Sequence, residues 1–171
     1  NTYDKLYAYR HTVNLLYVDP CRKLTMTNTS VDEIEAIINQ STDVITKTLG
    51  LVNIIDECAT KIITSLKNDG KVILFGNGGS AADAQHMAAE LIGRFKIERS
   101  SIPAISLTTD TSIITSIGND YDFENIFSRQ IESLGNKHDI IIAISTSGNS
   151  KNIINGVKSA KEKGIFVIGL S

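Results

Sequence analysis

The sequence predicts an α/β fold, a parallel sheet covered by helices, and three observations carry that expectation. Short apolar runs at 71–75, 104–107, 140–144 and 165–169 read as buried strands. Segments with apolar residues at helical spacing lie between them. The two least ordinary loops, at 76–80 and 145–150, each leave a strand directly and enter a helix. Strands alternating with helices imply right-handed crossovers. In such sheets ligands collect outside the carboxyl ends of the strands, the edge both loops occupy.

Residues 1–29 have a different texture from the rest. Tyr3, Tyr7, Tyr9 and Tyr17 crowd there without sustained periodicity, and Pro20 breaks any helix. A leader of unrelated origin, ending near Met26, accounts for them. Ser30-Val31-Asp32-Glu33 fits a capping box, and Ile34, Ile37, Ile38 and Ile45 keep a helical period to about Leu49. A second helix is expected over 52–67, with Ile55, Cys58, Ala59, Ile62, Ile63 and Leu66 on one face and Asp69-Gly70 ending it. Two helices before the first strand exceed what one sheet face needs. The first is therefore expected to pack on another copy of the chain.

The first strand opens into Gly76-Asn77-Gly78-Gly79-Ser80 and an alanine-rich helix. That unit aims backbone N–H groups and a helix N-terminus at one point, which suits a phosphate. Ala84, Met87, Ala88 and Leu91 would pack on the sheet. Asp83, His86, Glu90 and Arg94 form a second stripe, with His86 and Glu90 one turn apart. An imidazole beside a carboxylate is half a metal site or an acid/base pair, or else a solvated face with a weak ion pair. Farther on, the pattern predicts a turn at 118–120 and a helix over 122–134 with Phe123, Ile126, Phe127, Ile131 and Leu134 inward. The helix after the third strand carries Ile153, Ile154, Val157 and Ala160 and closes at Gly164.

A chain of 171 residues suits one domain with a sizeable core. Its net charge of −2 gives no general attraction to nucleic acid or anionic membrane. Cys21 and Cys58 lack metal-type spacing and read as reduced, structural thiols of a cytoplasmic protein. No apolar run is long enough to span a bilayer, and no secretory signal opens the chain. The chain begins at Asn1 and stops at Ser171, directly after an apolar run, so its domain is expected to be cut short there.

Ser145-Thr146-Ser147-Gly148-Asn149-Ser150 offers four hydroxyls at a helix N-terminus and holds no lysine, so it is not a nucleotide P-loop. Neutral donors with a helix dipole suit a phosphate monoester such as that of a sugar. The plainer alternative is a Ser/Gly turn capped by Ser150. Gly76 to Ala81 also satisfies G-x-G-x-x-A, but the acidic residue a dinucleotide needs arrives late, at Asp110.

Five motifs in order, Gly76-Asn77-Gly78-Gly79-Ser80, His86-x-x-x-Glu90, Gly93-Arg94, Gly118-Asn119-Asp120 and Ser145 to Ser150, resemble phosphoheptose isomerase. That family is the sedoheptulose 7-phosphate isomerase of the sugar isomerase (SIS) domain superfamily, and the resemblance covers residues 30–171. It implies the SIS fold, a three-layer α/β/α sandwich on a parallel, flavodoxin-like sheet, preceded by N-terminal helices. It also implies that Asn77, Gly78, Gly79, Glu90, Asn119, Asp120, Ser145, Thr146, Ser147 and Ser150 contact the substrate. His86 and Glu90 would be ligands of one zinc per subunit, with the remaining ligands, a glutamine and a histidine, beyond Ser171. The family is a cytoplasmic homotetramer with active sites at subunit interfaces and works in heptose biosynthesis for surface glycans. No direct nucleic-acid or membrane partner is implied.

The implied reaction moves a carbonyl between C1 and C2 through an enediol, which needs a base at the neighbouring carbon. Glu90 is the catalytic candidate. It cannot easily be a tight zinc ligand and a free base at once, so its role would alternate. With two ligands from its best motif, the chain as given is expected to bind zinc poorly and turn over little. A second class stays open, a non-catalytic SIS-domain tetramer that binds the bacterial replication initiator, as does another sugar-phosphate isomerase. The binding relative lacks the carboxylate of Glu90 and alters the position of Ser147, whereas both residues stand here.

Overall fold

The computed structural model describes residues 31–171. The proposed leader, Ser30 of the capping box and Cys21 lie outside the described residues. Ten elements follow in order: α1 (Val31–Thr48), α2 (Val52–Lys67), β1 (Val72–Gly76), α3 (Gly79–Ile92), β2 (Ala104–Ser106), α4 (Thr111–Asp120), α5 (Ser128–Leu134), β3 (Ile140–Ile144), α6 (Lys151–Glu162) and β4 (Phe166–Leu170). Single 3-10 turns join α1 to α2 and precede α5, at Leu49–Leu51 and Phe123–Asn125.

The strands form one parallel sheet in the order β2-β1-β3-β4. Every residue of β1 and β3 is buried, which is why these strands read as unbroken apolar runs. Side chains alternate between two layers. Val72 and Leu74 join Ile140, Ile142, Ala84 and Ala88 beneath α2 and α3, with Ile62, Leu66, Met87 and Leu91 packed alongside. Ile73 and Phe75 face the other way, onto Ile126, Phe127, Ile131, Ile153 and Ala160 from the α4–α6 side. The result is the expected three-layer α/β/α sandwich. β1 and β3 lie side by side, but the chain leaves β1 for α3 on one face and β3 for α6 on the other, so a crevice opens at their carboxyl ends.

At the opposite edge of the sheet Asp139, almost fully buried, ties β1 to β3. Its carboxylate accepts from the Lys71 N–H at 3.0 Å, from Lys71 Nζ at 2.7 Å and from the Asn136 N–H at 2.8 Å.

Three local expectations fail. The turn at 118–120 is instead the last turn of α4, which starts at Thr111 behind Asp110, whose side chain accepts from the Ile113 N–H and so caps the helix. The continuous helix over 122–134 breaks into a 3-10 turn and the short α5, leaving Phe123 and Leu134 exposed rather than inward. On α2 only part of the expected face is used: Ile62 and Leu66 reach the core while Ile55 and Ile63 stay exposed. Helical periodicity gives a face its direction but not how much of it the sheet covers.

Candidate functional site

β1 and β3 are paired so that Gly76 stands opposite Ile144, the last residues of their strands. The loops that follow therefore leave the sheet side by side. In the first, Gly78 takes φ 55° and ψ −121°, a backbone region open to glycine, and turns the chain into α3. Its carbonyl accepts the Ala81 and Ala82 N–H groups, and added Cβ atoms at Gly78 or Gly79 would meet no atom within 4 Å. That open ground faces a helix N-terminus, where backbone N–H groups lack partners and the dipole favours negative charge.

In the second loop the Ser145 N–H donates to the Leu170 carbonyl at 2.8 Å, continuing the β3–β4 ladder for one residue. The Gly148 N–H then donates back to the Ser145 carbonyl, and the Asn149 N–H donates to Ser147 Oγ at 3.2 Å. Thr146 and Ser147 are exposed, Ser150 is half-buried and Ser145 is buried. Ser150 does stand at the N-cap of α6, yet its side chain makes no capping bond; its Oγ lies 3.5 Å from Ser145 Oγ. The reading of this loop as merely a serine-capped turn thus lacks its hydrogen bond.

Asn119 and Asp120 end α4, exposed, with Asn119 Nδ2 donating to Asp120 Oδ1 at 2.8 Å. The segment that follows them reaches the start of α6. Glu124 Oε1 lies 2.7 Å from Nζ of Lys151, the first residue of α6, and its carbonyl accepts from Asn155. Hydrogen bonding to Glu124, followed by its charge and that of Asp122, raises the Lys151 ammonium above its ordinary pKa.

His86 and Glu90 sit on α3 as the spacing required, with His86 Nε2 3.8 Å from Glu90 Oε1. Their side chains are 77% and 35% exposed, so both can receive a ligand. Two tetrahedral zinc ligands stand about 3.4 Å apart at ordinary bond lengths, so the pair fits one edge of such a site. Among the described residues no group of three or more His, Cys, Asp or Glu could hold a metal, so this edge is all they provide. Arg94 does not continue the stripe, because α3 ends at Ile92. Glu90 lies eleven residues into α3 from Gly79, about 16 Å along its axis. In one chain the loops and the His86/Glu90 pair are two separate groups.

Two residues of the site escaped the sequence reading. Asn152, in the first turn of α6, exchanges hydrogen bonds with Asn77, and Lys151 brings a cation to that helix start. The signal for Asn152 was a polar residue on the inward face of a helix otherwise lined by Ile153, Gly156 and Ala160.

The model of the SIS domain family matches residues 32–171. The chain belongs to that family. Its relatives include the phosphoheptose isomerase of Sulfurimonas denitrificans, 58% identical over 70% of this chain and 62% of that one. The phosphoheptose isomerase of Rhodospirillum rubrum is 48% identical over 82% of this chain and 74% of its own length. Among solved structures, phosphoheptose isomerase GmhA from Neisseria gonorrhoeae superposes with a TM-score of 0.75 at 43% identity, covering 81% of this SIS domain chain and 72% of that one. The chain spans about three fifths of the length of several curated relatives it matches.

Proposed function

We propose that this SIS domain is part of an isomerase that interconverts sedoheptulose 7-phosphate and D-glycero-D-manno-heptose 7-phosphate, supplying heptose for surface glycans. The observation that carries the proposal is the Gly76–Ile144 register, which sets two donor-rich loops together at the switch point of the sheet. The names of the relatives supply the substrate. The phosphate would sit between the starts of α3 and α6, on backbone N–H groups of 77–79 and hydroxyls of Ser145, Thr146, Ser147 and Ser150. Asn119 and Asp120 would meet the sugar from the α4 side.

The sugar's carbonyl end extends away from that anchor toward a carboxylate. Glu90 takes the proton from C1, beside the C2 carbonyl, leaving an enediolate; O2 takes up a proton as O1 gives up its own, and Glu90 returns its proton to C2 so that the carbonyl ends at C1. The 35% exposure of Glu90 supports that access. Zinc, one per subunit, would be held by His86, by Glu90 in alternation with its role as base, and by ligands from outside the described residues, and would supply electrophilic stabilisation of the oxygen that gains charge.

A homotetramer with sites shared between subunits goes with this reading. No residue of α1 is buried, and Ile34, Ile37, Ile38 and Ile45 are each about half exposed or more. A second copy of the same helix would cover that stripe. The separation of Glu90 from the loops of its own chain also favours a site built from two chains. A cytoplasmic location fits the free, half-buried thiol of Cys58; among the described residues no helix is long and apolar enough to cross a membrane.

The test follows conversion of sedoheptulose 7-phosphate to the aldose by NMR. The whole isomerase of which this chain is part should turn it over, and Glu90→Gln in it should lower kcat by roughly 10²–10⁴-fold while substrate still binds. Absence of conversion, or full turnover in the variant, would refute the proposal.

A further inference from the structure

The two loops are joined by a contact that neither needs for its own turn. Asn77 Nδ2 donates to Asn152 Oδ1 at 2.9 Å, and Asn152 Nδ2 donates to Asn77 Oδ1 at 2.8 Å. Asn152 Oδ1 also accepts the Ile153 N–H at 2.9 Å. Asn152 is 3% exposed, so its amide serves the protein and not a ligand.

The geometry behind this clasp is legible residue by residue. Phe75 faces the α6 layer, and Asn77, two positions on, continues that alternation. Asn152 and Gly156 are four apart and share a face of α6. A Cβ added at Gly156 would stand 3.0 Å from Phe75 Cζ and 3.2 Å from Phe127 Cβ, so α6 approaches β1 closely enough that a side chain there would push its neighbours aside by a few tenths of an ångström. That approach, one helical turn from Asn152, brings the start of α6 within reach of a side chain as short as asparagine.

We infer that Asn152 is a positioning residue: it clamps the 76–80 loop to the first turn of α6 and so sets the spacing between the two anion-binding loops. The clamp also turns the Asn77 side chain inward, leaving the backbone of 77–79 to meet the ligand. The inference rests on reading the two loops as one sugar-phosphate site. A role confined to fold stability would give a different result, because it would change the fraction folded without changing how the folded protein binds.

The experiment compares Asn77→Ala, Asn152→Ala and the double variant. Each is titrated with sedoheptulose 7-phosphate and with inorganic phosphate, and the Kd of the folded protein is read beside Tm. Each single variant should weaken Kd about tenfold, and the double variant should fall within about twofold of the weaker single. Wild-type Kd in Asn152→Ala, or losses that simply multiply, would overturn the clamp. Should Asn152→Ala fail to fold, Asn152→Ser keeps a hydroxyl acceptor at the helix start, and its Kd decides in the same way. If the unaltered protein binds phosphate but not the sugar phosphate, the isomerase reading fails while the phosphate Kd values still decide the clamp. If it binds neither, the inference falls too.

Discussion

Gly79→Ala separates stability from ligand binding at the centre of the site. Gly79 is the first residue of α3 and lies outside the positive-φ region, and an added Cβ would touch nothing within 4 Å. An alanine there narrows the unfolded ensemble at no cost in the folded state, which stabilises by about 0.4–1 kcal/mol. At roughly 2–4 °C per kcal/mol for a chain of this size, Tm should rise by about 1–4 °C. The same methyl would stand where a phosphate oxygen approaches the helix N-terminus. Losing one charge-assisted hydrogen bond costs about 1.5–3 kcal/mol, or about 10–100-fold in the Kd for sedoheptulose 7-phosphate. Differential scanning calorimetry and titration calorimetry on the same preparation read both effects. A more stable variant that binds as tightly as the parent would refute the placement of the phosphate, and a lower Tm would refute the local geometry.

Other outcomes follow from the same structure. Asp139→Ala removes three hydrogen bonds and leaves Lys71 Nζ its 3.0 Å bond to the Leu134 carbonyl, with a side chain 30% exposed to water; urea denaturation should show a loss of about 2–3 kcal/mol, with sugar-phosphate affinity unchanged because Asp139 lies at the far edge of the sheet. Burial, and then the charge of Glu57, raise the Cys58 thiol above its ordinary pKa. Since the thiolate is the reactive form, iodoacetamide should label Cys58 more slowly than free cysteine at neutral pH, the rate climbing with pH past the usual thiol range; labelling at the free-cysteine rate would contradict that environment. Ile34→Glu with Ile38→Glu places charge on the bare stripe of α1, and light scattering should then report smaller assemblies; an unchanged mass would remove α1 from the interface.

The sheet was legible because β1 and β3 are buried on both faces and so appear as uninterrupted apolar runs, and because the loops after them carry glycines and hydroxyls no strand or helix interior would hold. The pairing of His86 with Glu90 was legible because helical spacing alone fixes it. What escaped was set by tertiary packing. Nothing local distinguishes a half-buried helix face such as that of α2 from a fully buried one. The break between Phe123 and Ser128 has no glycine or proline to announce it. Asn152 acquires its role only because Gly156 lets α6 lie against Phe75, a closeness no periodicity encodes.

The central claim is that the loops after β1 and β3 hold one sugar phosphate between them. Titrating 15N-labelled protein with sedoheptulose 7-phosphate and following its backbone amides tests this most directly. The account predicts that Gly78 and Gly79 on one loop and Ser147 and Gly148 on the other shift together with a single Kd. Shifts confined to one loop, or two loops responding with different affinities, would contradict it.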